Sequence, residues 1–144
     1  MSRSSISITA DSERLAEVRA FVRARLAGSG AGDELTADLV QAVDELVCNV
    51  VTHGYAGRPG TIEIAFHADG QEVAFRIRDD APPFDPTAVP EPPLDLPIER
   101  RRLGGMGVHL ARTLTDGFAH RILPTGGNEV TVRKLLPRAG TGGQ

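Results

Sequence analysis

The sequence has few of the residues on which several common kinds of site depend. Cys48 is its only cysteine, which excludes an internal disulfide and a zinc site built from several cysteines. Lys134 is its only lysine, so no phosphate-binding loop elsewhere can rely on a lysine. No apolar run reaches the roughly 18 residues of a membrane span, and residues 1–14 lack the apolar stretch of a secretory signal. We therefore expect a cytoplasmic protein.

Charge and hydropathy are those of an ordinary globular domain. Hydrophobic residues make up 40% of the 144-residue chain and charged residues 24%. The formal net charge of −3 argues against a nucleic-acid-binding surface and against a polybasic membrane-binding surface. We expect one folded domain over residues 1–136 and a disordered tail over residues 137–144.

Hydrophobic periodicity predicts the element order β-α-α-β-β-loop-α-β-β. Because the strands come in adjacent pairs, a doubly wound parallel sheet is disfavoured. We expect an α/β (α+β) two-layer sandwich, with a mixed, mainly antiparallel sheet and helices on one face. Between Pro82 and Pro97 lie seven of the ten prolines, which excludes a regular helix or strand there. A loop of this length in a small domain is usually functional or disordered.

A row of polar residues follows one face of the second predicted helix. Glu45 and Asn49 are four residues apart, so they lie one above the other, and His53 continues the row. A carboxylate and an amide oxygen can hold Mg²⁺ beside a phosphate. The carboxylate can also accept a proton from a nucleophile. Taken alone, the same spacing is more often a solvent-facing polar stripe.

Two further segments carry candidate chemistry. Asp79 follows a predicted strand, where its carboxylate could accept a hydrogen bond from the exocyclic amine of adenine; the alternative is a turn-forming residue. Gly105 and Gly107 open a predicted helix, where backbone N–H groups can approach phosphate oxygens. The alternative there is an ordinary glycine-rich turn.

The order and spacing of these segments resemble a known family. Residues 44–55, with the sequence DELVCNVVTHGY, closely resemble the N box of the GHKL ATPases, and most of all that of the small anti-sigma-factor serine/threonine kinases of the RsbW type. Residues 77–80 resemble the G1 box, residues 104–108 the G2 box, and residues 127–134 the closing strand motif. The resemblance covers about residues 6–136.

This resemblance implies a GHKL (Bergerat) fold that binds ATP or ADP with Mg²⁺. It implies that Glu45 is the general base and that Asn49 is the Mg²⁺ ligand. The implied cofactor-binding positions are Asn49, His53, Asp79, Ala81, Gly105, Gly107 and Asn128. Two of them depart from the family pattern, because Ala81 replaces a glycine and Asn128 replaces a frequent threonine. An alanine would fit poorly if the position needs positive φ or a close backbone approach.

The function implied is that of a serine/threonine protein kinase and anti-sigma factor. Its implied partners are a STAS-type antagonist, phosphorylated on serine or threonine, and a sequestered sigma factor or similar regulator; a homodimer is also implied. Ala81 and the proline-rich loop between Pro82 and Pro97 motivate an alternative, a nucleotide-gated protein-binding module with little or no kinase activity. A detached histidine-kinase ATP-binding domain would need a phosphoacceptor histidine before the N box, and the first histidine of the sequence is His53.

Overall fold

The computed structural model describes residues 2–83 and 111–137. Alternating apolar residues form the strands, as the sequence predicts. The strands are β1 (Ser2–Thr9), β2 (Thr61–Ala68), β3 (Glu72–Asp79), β4 (Gly117–Ile122) and β5 (Asn128–Leu135). They form one five-stranded sheet in the order β1-β2-β3-β5-β4.

The sheet is antiparallel at each of its described pairings. The α+β class is thereby confirmed, whereas the expectation of a mixed sheet is wrong for the described strands. The order places β5 between β3 and β4, so the last strand of the chain is central in this half of the sheet. This crossing brings Asn128, the first residue of β5, opposite Asp79, the last residue of β3.

Two helices pack against one face of the sheet and share its hydrophobic core. Asp11 caps a short 3₁₀ turn (Ser12–Arg14), and its carboxylate accepts a hydrogen bond from Glu13 N–H at 2.9 Å. Helix α1 (Leu15–Leu26) follows, and helix α2 spans Gly32–Asn49. Apolar residues at helical spacing on both helices meet the apolar face of the strands. The largest fully buried core side chains include Leu39, Val43, Ile62, Ile64, Phe75 and Ile77.

Helix α2 ends earlier than its periodicity predicts. The α-helix stops at Asn49 and continues as one π-helical turn, Val50–Gly54. Tyr55 N–H donates to the Val50 carbonyl at 2.8 Å, the i→i+5 spacing that defines such a turn. Single π turns are rare and are frequently found at functional sites. Here the turn begins directly after a candidate metal ligand.

The remaining sequence predictions concern the third predicted helix, the proline-rich loop before it and the C-terminal tail. Residues 111–114 are helical, in agreement with the end of the predicted third helix. The proline-rich loop beyond Pro83 lies outside the described residues. So do Gly105, Gly107 and residues 138–144. Within the part of the chain that is described, no helix is both long enough and apolar enough to cross a bilayer.

Candidate functional site

Asn49 is buried, although it stands in a row that could have faced solvent. Asn49 is the last residue of α2, directly before the π turn, and is 6% exposed. Within residues 2–83 and 111–137, its side-chain amide makes no hydrogen bond. Among the described residues, Arg76 Nε is the only buried side-chain nitrogen or oxygen without a hydrogen-bond partner, so the Asn49 amide atoms are not fully enclosed and can meet water or a ligand. The residue as a whole is too buried to belong to a solvent-facing stripe, and its role as a metal ligand stays a prediction.

Glu45 lies one helical turn before Asn49 and is only partly exposed. Burial raises the pKa of its carboxyl, and the neighbouring charge of Asp44 adds to the effect. Asp44 is itself paired with Arg19, whose Nη1 atom donates to Oδ1 at 2.8 Å. A carboxylate with a raised pKa is a better proton acceptor than an ordinary surface glutamate. The role of Glu45 as a general base stays a prediction.

Asp79 occupies an apolar position of the sheet. It continues the buried alternation of Val73, Phe75 and Ile77 along β3 and is itself 5% exposed. Its Oδ1 atom accepts hydrogen bonds from Ala81 N–H at 2.9 Å and from Asn128 Nδ2 at 3.0 Å. Burial raises the pKa of Asp79, although these two hydrogen bonds act in the opposite direction. The Oδ2 atom receives no hydrogen bond from the described residues.

Asn128 directs both ends of its amide into the protein. Besides Asp79, its Nδ2 atom lies 3.3 Å from the carbonyl oxygen of Ala81 and 3.1 Å from that of Pro82. Its Oδ1 atom lies 3.4 Å from Nε2 of His120 on the neighbouring strand β4. The residue is 4% exposed. Its polar atoms thus contact the turn after β3 and His120 of β4.

Ala81 connects this turn with the end of the N-box helix. It is 1% exposed, and a Cβ built on Gly54 would lie 3.3 Å from the Ala81 Cβ. Among the described non-glycine residues, only Ala56 has a positive φ, so Ala81 has no need of glycine's conformational freedom. The alanine packs against a glycine that leaves room for it. The structure thus accommodates this departure from the family pattern.

Tyr55 also joins the two segments. Its hydroxyl donates to the Thr61 carbonyl at 2.7 Å and accepts from Asp80 N–H at 2.8 Å. Gly127 completes the same corner, because a Cβ there would lie 2.0 Å from the Asp79 carbonyl oxygen. Glycine is therefore required for β5 to approach β3 at the base of the site.

The structure brings together part of the predicted site. Asp79, Ala81 and Asn128 are in mutual contact, and Gly54 and Tyr55 attach the N-box helix to them. His53 is exposed on the π turn; with i→i+5 bonding, it no longer lies directly above Asn49. Its cofactor contact stays a prediction, as do those of the other implied positions, Asn49, Asp79, Ala81, Gly105, Gly107 and Asn128.

Sequence reasoning assigned no role to Tyr55, His120 or Glu129. Tyr55 was visible as the last residue of the N-box pattern. His120 and Glu129 have no local signal, because their positions depend on which strands are neighbours. Glu129 is 8% exposed on the sheet face opposite the helices, where Arg78 donates to it at 2.6 Å and Arg121 at 2.8 Å.

The donor set fits a magnesium nucleotide better than a metal held by protein alone. Within the described ranges, no group of three or more histidine, cysteine or acidic side chains could hold a metal ion. Mg²⁺ in phosphotransfer sites usually takes few protein ligands and completes its shell with phosphates and water. The amide oxygen of Asn49, which has no partner among the described residues, is a candidate for one such ligand. Asp79 supplies a separate acceptor suited to a base amine.

The model of the histidine kinase-like ATPase domain family matches residues 8–134. The chain belongs to this family. The GHKL resemblance inferred from the four boxes is thereby confirmed.

Named relatives include a serine/threonine-protein kinase and anti-sigma factors. The kinase BtrW of Bordetella bronchiseptica is 32% identical over 84 residues, 58% of this chain and 59% of the relative. An anti-sigma F factor of Clostridium kluyveri is 26% identical over 104 residues, 72% of each chain. The chain thus matches less than two thirds of the length of the kinase relative.

A solved structure shows the same fold. The RsbU and RsbW domains of a Mycobacterium tuberculosis protein superpose with a TM-score of 0.67 at 24% identity. The match covers 96% of this chain and 34% of that one. At this identity the likeness establishes the fold alone.

Proposed function

We propose that this protein is an ATP- and Mg²⁺-dependent serine/threonine protein kinase that also acts as an anti-sigma factor. The observation that carries the proposal is the pair on α2: Asn49, a buried residue whose amide has no hydrogen-bond partner among the described residues, lies one turn from Glu45, whose pKa is raised by burial. Membership of an ATPase family and relatives named as kinase and anti-sigma factors support it.

Asp79 and Asn49 would bind different parts of the nucleotide. Asp79 accepts a hydrogen bond from the adenine amine, and its buried setting excludes water that would compete for that bond. Asn49 presents its amide oxygen toward the phosphates. Asn49 would help to hold Mg²⁺ beside the nucleotide, and the ion would supply positive charge that offsets the charge of the phosphates.

Glu45 then serves as the proton acceptor. As the serine or threonine oxygen of the partner bonds to the γ-phosphorus, the bond from that phosphorus to the β,γ-bridging oxygen breaks. The hydroxyl proton passes to the Glu45 carboxylate, and ADP leaves. A base with a raised pKa accepts this proton more readily at neutral pH.

The proposed sigma-factor partner agrees with the name of the anti-sigma F factor relatives, and the STAS-type substrate is what the resemblance to the RsbW-type kinases implies. A protein substrate of the STAS type would carry the phosphorylated serine or threonine, and a sigma factor or similar regulator would be held inactive. A phosphate adds about −1.5 to −2 charge at neutral pH, which can disrupt an interface packed against it. Phosphorylation would thereby switch the chain from one partner to the other. A homodimer is part of the same proposal.

Two variants separate binding from transfer. Glu45→Gln keeps the shape of the side chain, so we expect ADP affinity within about twofold and phosphate transfer reduced at least about a hundredfold. Asn49→Ala should abolish Mg²⁺-dependent ATP binding. Calorimetry with ADP and ATP, with and without Mg²⁺, measures binding; labelled ATP with a cognate STAS protein measures transfer.

The outcomes are distinct. Equal transfer by the Asn49→Ala variant would contradict the proposal. Tight nucleotide binding by the unaltered chain, with no transfer to a cognate partner, would favour the nucleotide-gated binding module instead. Absence of ADP binding would contradict both functions.

A further inference from the structure

Asn128 stands where the family pattern suggests a direct cofactor contact, but its surroundings indicate another role. Its amide nitrogen faces three oxygens, those of Asp79 Oδ1 and of the Ala81 and Pro82 carbonyls, at 3.0, 3.3 and 3.1 Å. Its amide oxygen faces His120 Nε2 at 3.4 Å. Flipping the amide would set its oxygen against all three oxygens. The orientation of Asn128 is therefore fixed.

This orientation also fixes what Asp79 can present. Oδ1 of Asp79 already accepts from two N–H groups, those of Ala81 and Asn128, so a proton on Oδ1 has no place. Two donors on one oxygen favour the ionised carboxylate. The other oxygen, Oδ2, receives no hydrogen bond from the described residues. Among the described residues, Oδ2 is thus the acceptor that Asp79 leaves for a ligand.

We propose that Asn128 is a positioning residue that holds Asp79 as a pure hydrogen-bond acceptor and is itself oriented by His120 of strand β4. The site thereby selects adenine over a 6-oxopurine. The inference rests on the proposed nucleotide site. An adenine amine donates to such an acceptor, whereas the carbonyl of hypoxanthine or guanine is repelled by it. The threonine of the family pattern could donate a single hydrogen bond from the same position; the asparagine here donates two.

The test compares Asn128→Leu, which has similar size but no donor, with Asn128→Thr, which keeps one. We expect the leucine variant to bind ADP about tenfold more weakly at neutral pH, since a hydrogen bond to a charged group is lost. Its discrimination between ADP and inosine diphosphate should fall as well. The threonine variant should recover most of both. Calorimetry measures the affinities, and unfolding curves verify that each variant is folded.

A second readout needs no nucleotide. Loss of the Asn128 donor should raise the pKa of Asp79 further, which carboxyl NMR of the free protein measures directly. The acid limb of ADP binding should move to higher pH by the same amount, because binding needs the ionised carboxylate. Asp80, Tyr55 and His120 are the other titratable groups near it in the described chain. His120→Gln keeps a donor toward Asn128 but removes the ring whose charge lowers the pKa of Asp79, so the acid limb should move to higher pH by less than in Asn128→Leu.

Each outcome decides the inference. Unchanged base discrimination and an unchanged pKa of Asp79 in folded Asn128→Leu would overturn it. A uniform loss of affinity at every pH for both nucleotides would indicate a packing role only and would also overturn it. If the unaltered protein binds neither nucleotide, both the proposed function and the selectivity role of Asn128 fail. The NMR titration of Asp79 would then still show whether Asn128 lowers the pKa of Asp79.

Discussion

The hydroxyl oxygen of Tyr55 lies 2.8 Å from the backbone nitrogen of Asp80 and accepts its hydrogen bond. The same hydroxyl donates to the Thr61 carbonyl at 2.7 Å. Burial raises the pKa of Tyr55, which keeps the hydroxyl protonated and able to donate. The ring is 5% exposed and lies against Gly60, where a Cβ would come within 2.1 Å of it. One side chain thus ties the end of the N box to the turn beyond Asp79.

Tyr55→Phe tests this tie while keeping the ring in place. The substitution leaves the Asp80 N–H and the Thr61 carbonyl without their partner, so we expect a loss of about 1–2 kcal/mol in the free energy of unfolding. ADP affinity should also fall, because the turn that carries Asp79 loses an anchor. Urea unfolding and calorimetry measure the two effects. Unchanged stability and affinity would show that the tie is dispensable.

Gly127 is expected to be far less tolerant of substitution than its neighbour Gly126. A Cβ on Gly127 would lie 2.0 Å from the Asp79 carbonyl oxygen, and backbone atoms cannot move aside as a flexible side chain can. Gly127→Ala should therefore cost more than about 3 kcal/mol or prevent folding. Gly126→Ala meets no atom within 4 Å but has φ +98°, so its cost should be about 1–2 kcal/mol of backbone strain. Thermal unfolding of the two variants compares them. Equal costs would contradict this account.

Local pattern was sufficient for most of the fold and for part of the site. The alternation of Val73, Phe75 and Ile77 identified β3, and Asp79 follows at the same spacing, so a buried position for it was implicit in the sequence. The contact with Asn128 was not. It depends on β5 pairing with β3 while β4 takes the edge, and no local pattern encodes that order.

The π turn after Asn49 was also beyond sequence reasoning. The apolar residues Val50 and Val51 continue a helical pattern, so the periodicity predicts an α-helix through that segment. The change from i→i+4 to i→i+5 hydrogen bonding is local, and the spacing of apolar residues does not distinguish it from an ordinary helix end. This rearrangement moves His53 out of the polar row.

Ala81→Gly tests whether the departure from the family's glycine weakens the site. Since Ala81 does not have a positive φ and is 1% exposed against Gly54, the glycine should bring no benefit. We expect ADP affinity within about twofold and a stability loss of about 1 kcal/mol from the lost methyl group and the added freedom of the unfolded chain. Calorimetry and urea unfolding provide the measurements. An ADP affinity raised tenfold or more would show that alanine does limit the site.

Glu129 should make the stability of the sheet sensitive to acid. Burial acts to raise the pKa of Glu129, but hydrogen bonds from Arg121 and Arg78 outweigh it and hold the pKa below its ordinary value. A carboxyl with a lowered folded-state pKa stabilises the protein above its unfolded pKa, near 4.5, and loses that contribution as the pH falls through the folded value. Asp79, with its raised pKa, contributes in the opposite sense, so the unaltered protein alone cannot isolate the effect.

Glu129→Gln isolates it, because Asp79 is common to both proteins and its contribution cancels in the difference. Arg78 and Arg121 are partly exposed and can be solvated after the substitution, so we expect a loss of only about 1 kcal/mol at neutral pH. This difference should stay constant down to about pH 5 and shrink below it, as Glu129 becomes protonated in the unaltered protein. Urea unfolding of both proteins between pH 3 and pH 7, about the range in which carboxyls titrate, measures the difference. A difference that stays constant down to pH 3, about a unit below the unfolded value, would show that the two arginines do not hold Glu129 ionised in the folded state.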